Sequence, residues 1–254
     1  MIVFPDEGKQ SAFVIQHYSK PGIIPWHKHR RAQLHYVSEG VLRVQTEQGV
    51  WITPPQRAVW ILPGVNHTIY SSRPYHLCTL YLEPTLIELS SRCGVVAIDS
   101  FMRDLLLAAA KFGSEYNTGS TEDHLIHVIL GLLPKRLLLP LYLPEPKDER
   151  LKNITKRLYS EPSNPDTLAT LAYAAGITKR TAERLFRREM NMSFVEWRQQ
   201  LRLITGLEKL ANGEKVTNVA FDIGYSSVSA FIKIFKNALG TTPGRYFRQV
   251  NKTG

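Results

Sequence analysis

The sequence predicts an α+β protein of two domains: a β-barrel or sandwich followed by helices over residues 1–139, a proline-rich linker at 140–146, and an all-α domain over 147–254. Three observations carry this. Residues 11 to about 82 are short β-branched and aromatic runs broken by turn residues. Helical periodicity takes over from about residue 100. Pro140, Pro144 and Pro146 then fall within seven residues, which stiffens the chain and blocks helix.

The chain has 254 residues, 43% of them hydrophobic, so it can bury real cores; disordered, collagen-like and low-complexity classes are excluded. Its two cysteines, Cys78 and Cys93, are too few for a disulfide framework and fit a reducing compartment. Residues 1–7 lack the order of a secretory signal, and the apolar run at 125–143 is cut by Pro134, Lys135, Arg136 and Pro140. The expectation is a cytoplasmic protein that does not enter membranes.

In the first domain, Phe13-Val14-Ile15, Gln33-Leu34-His35-Tyr36-Val37, Val41-Leu42-Arg43-Val44 and Ala58-Val59-Trp60-Ile61-Leu62 read as strands. Pro21-Gly22, Glu39-Gly40, Gln48-Gly49, Pro54-Pro55 and Pro63-Gly64 separate them. Many short strands at this spacing suggest an antiparallel barrel or sandwich. Residues 101–108 and 124–130 are apolar at helical spacing, and more apolar than one barrel wall requires, so a homodimer contact is expected there.

All eight histidines precede the linker. His27, His29, Gln33 and His35 occupy odd positions, and on an uninterrupted strand they would share one face. Here the sequence resembles the cupin family. His27-Lys28-His29-Arg30-Arg31-Ala32-Gln33, with Gly40 beyond, is similar to the first cupin motif, and Pro63-Gly64-Val65-Asn66-His67 to the second. The resemblance implies a cupin-like β-barrel in which His27, His29, Gln33 and His67 hold a divalent transition metal, line a ligand pocket, or hydrogen-bond one another. Gln33 stands where a metal-binding cupin has Glu, and Ser71 where the second motif has Asn. No cofactor is required by this reading; a metal-dependent cupin enzyme remains the alternative.

The formal net charge is +10, and it is unevenly placed. Residues 1–146 hold 13 Lys or Arg against 12 Asp or Glu, whereas residues 147–254 hold 19 against 10. A basic excess confined to one domain fits a polyanion partner or a solvated basic face. Within that domain, residues 151–159 read as an amphipathic helix. A short helix closed by Gly176 follows, and Thr178 is placed to cap a helix over 179–189. Helix, glycine turn and capped second helix make a helix-turn-helix.

The pattern recurs. Leu171-Ala172-Tyr173-Ala174-Ala175-Gly176 aligns with Val219-Ala220-Phe221-Asp222-Ile223-Gly224 at an offset of 48. The offset is 49 for Thr178 and Ser227, Phe186 and Phe235, Ser193 and Thr242, and Trp197 and Tyr246. Ser193-Phe194-Val195-Glu196 is a capping box opening a long helix to about Ala211, and Thr242-Pro243 opens the last helix.

Two such units joined by a long helix resemble the DNA-binding domain of AraC/XylS-type transcription regulators. The match covers about residues 150–250 and is most specific at Val219-Ala220, Gly224-Tyr225-Ser226-Ser227, Phe231, Phe235-Lys236, Gly240, Thr242-Pro243 and Tyr246. Set against that pattern, Asn191 stands in place of the usual glycine, at a site where Asn tolerates positive φ, and Ala182 in place of the usual leucine, which implies a lightly packed first unit. The resemblance implies that Arg180, Glu183 and Arg184 of the first unit, and Val228, Ser229, Ile232 and Lys233 of the second, face bases. Lys179, Arg187, Arg188, Thr217 and Lys236 are the candidates for phosphates. The implied protein is a non-enzymatic activator or repressor. Its expected partners are double-stranded promoter DNA, a small-molecule effector in the first domain, a second copy of itself and, if it activates, RNA polymerase.

Overall fold

The computed structural model describes residues 5–86, 92–133, 138–139 and 141–251. Positions 134–136 and Pro140, which cut the apolar run and open the expected linker, lie outside the described residues. The chain divides into two compact units: residues 1–47 with 51–141, and residues 48–50 with 142–251.

The first unit is an antiparallel two-sheet sandwich carrying two helices. One sheet runs β1 (Ala12–Ser19), β8 (Tyr75–Leu82), β3 (Ala32–Glu39), β6 (Arg57–Ile61), β9 (Gly94–Ala97) and β10 (Leu138–Leu139). The other carries β5 (Gly49–Thr53), β4 (Leu42–Thr46), β7 (His67–Ser71) and β2 (Gly22–His27) in that order. The strands expected from the β-branched runs are present. β9 and β10 extend the sheet beyond Leu82, where the sequence pattern ends; Val95 and Val96 are the short β-branched signal behind β9.

Alternation along β3 sorts its side chains. Leu34 and Tyr36 join Val14, Ala58, Trp60, Cys78 and Leu80 in a core covered by Met102, Leu106 and Ala109 of α1 (Ser100–Ala109) and Ile126, Ile129 and Leu130 of α2 (Thr121–Leu132). Gln33 and His35 therefore point the other way, between the sheets, and both are buried. Most of the apolar surface of the two helices is used on this sheet, with Phe101 and Val128 left exposed. Asp99 and Ser120 cap the helices by accepting from the Met102 and Asp123 amides.

The second unit opens within the prolines expected to form a linker. Tyr142–Pro144 is a strand there, β11, because Leu141 and Leu143 are apolar at alternate positions and both bury fully. Seven helices follow: α3 (Glu149–Ser160), α4 (Leu168–Ala174), α5 (Lys179–Met190), α6 (Phe194–Ala211), α7 (Val216–Asp222), α8 (Val228–Leu239) and α9 (Pro243–Asn251). The Ser193–Glu196 capping box is formed in both directions, and α6 ends at Ala211. Among the described residues, no helix is long and apolar enough to cross a membrane.

The sequence repeat is a structural repeat. Phe186 meets Trp197 edge-on at 6.1 Å, and their counterparts Phe235 and Tyr246 meet edge-on at 5.9 Å. α6 serves both halves. Near its start, Trp197 is fully buried against Phe186 and Tyr159. Near its end, Gly206 brings the helix so close to Ile223 and Phe231 that a Cβ would stand 3.0 Å from each.

Candidate nucleic-acid interface and histidine pocket

Both helix-turn-helix turns are built the same way. Gly176 (φ 70°) and Gly224 (φ 87°) take the left-handed conformation that glycine adopts without strain. Their amides donate to the Tyr173 and Phe221 carbonyls, and the next amides, of Ile177 and Tyr225, to Ala172 and Ala220. Thr178 and Ser227 then cap α5 and α8 by accepting from the Thr181 and Ala230 amides. Asn191 ends α5 in the left-handed region at φ 52°, as Gly240 ends α8.

Packing decides which faces stay free. α5 buries Ala182, Leu185, Phe186 and Met190; α8 buries Phe231, Phe235 and Leu239. The opposite face of α5 exposes Lys179, Arg180, Glu183, Arg184, Arg187 and Arg188. On α8, Ser229, Lys233 and Lys236 are exposed while Val228 and Ile232 are half-buried; Thr217 is exposed on α7. The two faces differ in chemistry. The first is strongly cationic, and the second mixes two β-branched side chains with two lysines.

Some of these charges have partners. Lys179 lies 3.7 Å from Glu183, Arg187 lies 3.2 Å from Glu196, and Arg188 lies 2.8 Å from Glu189. Such solvated pairs contribute about 0–1 kcal/mol, so a phosphate can displace them at small cost. Among the described residues, Arg180, Arg184, Lys233 and Lys236 have no carboxylate partner. A cleft of about 710 Å³ runs along α5 past Lys179, Glu183 and Arg187 to the starts of α4 and α6 at Thr167 and Ser193.

Arginines of α6 support this arrangement without facing outward. Arg198 donates to the Asp166 carbonyl at 2.9 Å, and Arg202 donates through Nε to the Pro162 carbonyl at 3.0 Å. The Arg202 guanidinium also lies 5.8 Å from the Tyr225 ring centre, beside the second turn. The sequence pattern did not single out either residue.

In the first unit, the odd-position argument for His27, His29, Gln33 and His35 holds only in part. No single strand carries them. β2 ends at His27, β3 begins at Ala32, and His29 lies in the connection. The histidines nevertheless converge, because antiparallel pairing sets His27 directly opposite His67. Their ring centres are 4.2 Å apart; His29 lies 4.9 Å from His27, and His35 lies 6.4 Å from His67. One ring nitrogen from each of His27, His29 and His67 falls within 4.8 Å of the others.

Hydrogen bonds orient these rings. Nδ1 of His27 donates to the Pro25 carbonyl at 2.7 Å, and Nδ1 of His67 to the Val65 carbonyl at 2.9 Å. Nδ1 of His29 lies 4.0 Å from Asp6, a residue with no visible link to the motif in the sequence. His35 Nδ1 meets the Thr79 hydroxyl at 2.8 Å. Burial pushes the His67 imidazole down to about 4 and takes His35 well below its usual range; burial also lowers His29, helped by His27 and opposed by Asp6. Lowered in this way, the His29, His35 and His67 rings are neutral at neutral pH. His67 Nε2, His35 Nε2 and both polar side-chain atoms of Gln33 are buried without a hydrogen-bond partner, the state of a pocket built to receive something polar.

Comparison with known proteins covers both units. Residues 9–94 match the AraC-like ligand binding domain, and residues 171–249 match the helix-turn-helix domain. The HTH-type transcriptional regulator NimR of Escherichia coli is 33% identical over 226 residues, covering 89% of this chain and 83% of that protein. RipA of Corynebacterium diphtheriae, also an HTH-type transcriptional regulator, is 29% identical over 107 residues, 42% of this chain and 31% of that protein. Among solved structures, ToxT of Vibrio cholerae with bound unsaturated fatty acid is 14% identical, covering 94% of this chain and 96% of that one with a TM-score of 0.39. With a paired turn geometry in one unit, a ligand-binding match in the other and a regulator aligned over 89% of this chain, the chain belongs to the AraC family of DNA-binding transcription regulators.

Proposed function

We propose that this regulator reads its operator by placing α5 and α8 in two successive major grooves, and that a small molecule bound among the histidines of the first unit controls it. The observation that supports the first part is the repeat: two glycine turns and two capped helices present free faces of different chemistry. Arg180 and Arg184 have the planar fork that guanine accepts, and Glu183 can accept from cytosine once released from Lys179. Val228 and Ile232 have nothing to offer a phosphate but fit thymine methyl groups, which favours sequence readout over indiscriminate binding. Lys179, Arg187, Arg188, Thr217 and Lys236 position the domain on the backbone.

The test is a binding series on the footprinted promoter with each base pair replaced in turn. Arg184→Ala should lose about 1–3 kcal/mol, concentrated at one position. An equal loss on every sequence, or competition by scrambled duplex as effective as the native promoter, defeats the reading.

Control by a ligand requires different affinity for the DNA-bound and free arrangements. Titrating candidate effectors with and without operator measures this directly, and identical affinities in the two conditions reject it. We read the protein as a cytoplasmic regulator rather than an enzyme, on the strength of the regulators it aligns with. We place a homodimer contact at the exposed Phe101 and Val128, and sedimentation of Phe101→Glu checks it.

A further inference from the structure

We infer that Arg245, together with Lys236, clamps one phosphate of the duplex backbone in the second helix-turn-helix, at the place where the first holds an internal ion pair instead. The inference rests on the DNA reading above and adds to it a contact and an asymmetry between the two halves.

The repeat supplies the geometry. Arg187 and Lys236 hold the same place near the ends of α5 and α8, where their carbonyls accept the amides of the left-handed residues Asn191 and Gly240 at 3.2 Å and 2.8 Å. Two residues on, Ser193 and Thr242 open α6 and α9, and their carbonyls accept from the Trp197 and Tyr246 amides at 3.0 Å and 2.9 Å. Phe186 and Phe235 meet those same two rings edge-on. The connections are equal in length and share their backbone bonds, so Arg245 stands to Lys236 as Glu196 stands to Arg187, nine residues on in each case.

The charge at that place is inverted. Glu196 lies 3.2 Å from Arg187 and accepts from the Ser193 amide and hydroxyl at 2.6 Å and 2.7 Å. Those two bonds, with Arg187 behind them, hold the Glu196 carboxyl below its usual range, so it is ionised at neutral pH and offsets the Arg187 charge. Arg245 carries the opposite sign and is exposed, as is Lys236. Residues 223–254 contain Lys233, Lys236, Arg245, Arg248 and Lys252 but no Asp or Glu. The acids just upstream, Glu214 and Asp222, are both held by Lys209 at 3.1 Å. Among the described residues, Arg245 therefore has no carboxylate partner. A guanidinium fork beside an ammonium suits a phosphate, which can accept from both at once. Lys236 lies one turn beyond Lys233 on α8, so the phosphate is one flanking the groove that α8 enters.

The test measures full-length protein against a fluorescein-labelled duplex of arbitrary sequence by anisotropy at several potassium chloride concentrations. Arg245→Ala should flatten the slope of log affinity against log salt by about 1. Arg245→Glu copies the first unit's arrangement into the second and should flatten it by about 2, because it also masks Lys236. Arg187→Ala should flatten it by less than Arg245→Ala does, since Arg187 must leave Glu196 to reach a phosphate. In a Glu196→Gln background, where the acceptor for the Ser193 amide remains without its charge, Arg187→Ala should regain an effect of about 1. All three positions are exposed, and an unchanged helical circular dichroism signal verifies that each variant is folded. A slope unmoved by both Arg245→Ala and Arg245→Glu overturns the clamp and leaves an acidic protein surface as the partner of these cations. Equal effects of Arg187→Ala and Arg245→Ala in the wild-type background overturn the asymmetry. Wild-type protein that binds duplex with no dependence on salt, or does not bind it, overturns the DNA reading and the clamp with it, so the two failures are told apart.

Discussion

Two glycines at equivalent points of the repeat face different surroundings, and replacing each with alanine separates two costs. Both have φ in the left-handed region, 70° at Gly176 and 87° at Gly224. An alanine there costs about 1–2 kcal/mol from backbone strain alone. At Gly176 a Cβ would meet nothing within 4 Å, so that is the whole effect. At Gly224 the same atom would stand 2.6 Å from Nη2 of Arg202 and 2.8 Å from the Ser163 Cα. The guanidinium can swing away, at the expense of its bond to the Pro162 carbonyl; the Ser163 backbone has to move, an overpacking cost of about 1–3 kcal/mol. Gly224→Ala should therefore destabilise the second unit by about 2–5 kcal/mol against about 1–2 for Gly176→Ala. Guanidinium chloride unfolding, followed by the helical circular dichroism signal, measures both. Equal losses, or a larger loss at Gly176, would refute the claim that the second turn is wedged against the 162–163 segment.

Other consequences are open to measurement. Ser193→Ala removes the side-chain half of the capping box while the residue-193 amide still donates to Glu196, and should cost about 0.5–2 kcal/mol of unfolding free energy, whereas Ser193→Thr should retain most of it. In chelator-treated protein, stability should be complete above the ordinary histidine value of 6.5 and fall as pH drops toward 4, because the unfolded chain takes up protons that buried His67 refuses; this group alone accounts for about 3 kcal/mol. Flat urea midpoints across that window would contradict it. Lys236→Ala should weaken binding to all duplexes alike and lower the slope of log affinity against log salt by about 1, read from filter binding at several salt concentrations.

The helical half was legible in the sequence because its determinants are local. Gly176, Thr178, Ser193 and Asn191 act on backbone groups within a few residues, so caps and turns could be placed to the residue. The 49-residue offset supplied the rest, since Phe186 on α5 and Phe235 on α8 must bury the same face of equivalent helices. The β half was less legible because its determinants are distant. His27 and His67 are brought together by strand pairing across forty residues, and a motif names them without giving the geometry. Parity along the chain put His27 and Gln33 on one continuous strand, whereas a connection containing Arg30 and Arg31 intervenes. Asp6 was invisible for the same reason: it meets Arg30 across 24 residues, through an amide that carries no side-chain signature. Leu141 and Leu143 hid among prolines, whose composition suggested a tether while the alternating leucines made a buried edge.

That edge has a practical consequence for anyone excising the DNA-binding half. The Trp197 indole donates to the Pro144 carbonyl at 3.0 Å, and Glu189 accepts the amides of Lys147 and Asp148. A fragment begun at the first helix of this unit, Glu149, would lose all three bonds at once and strip cover from Trp197 of α6, the largest fully buried side chain among the described residues. Cloning from Tyr142 keeps them, so the shorter product should be the one that precipitates.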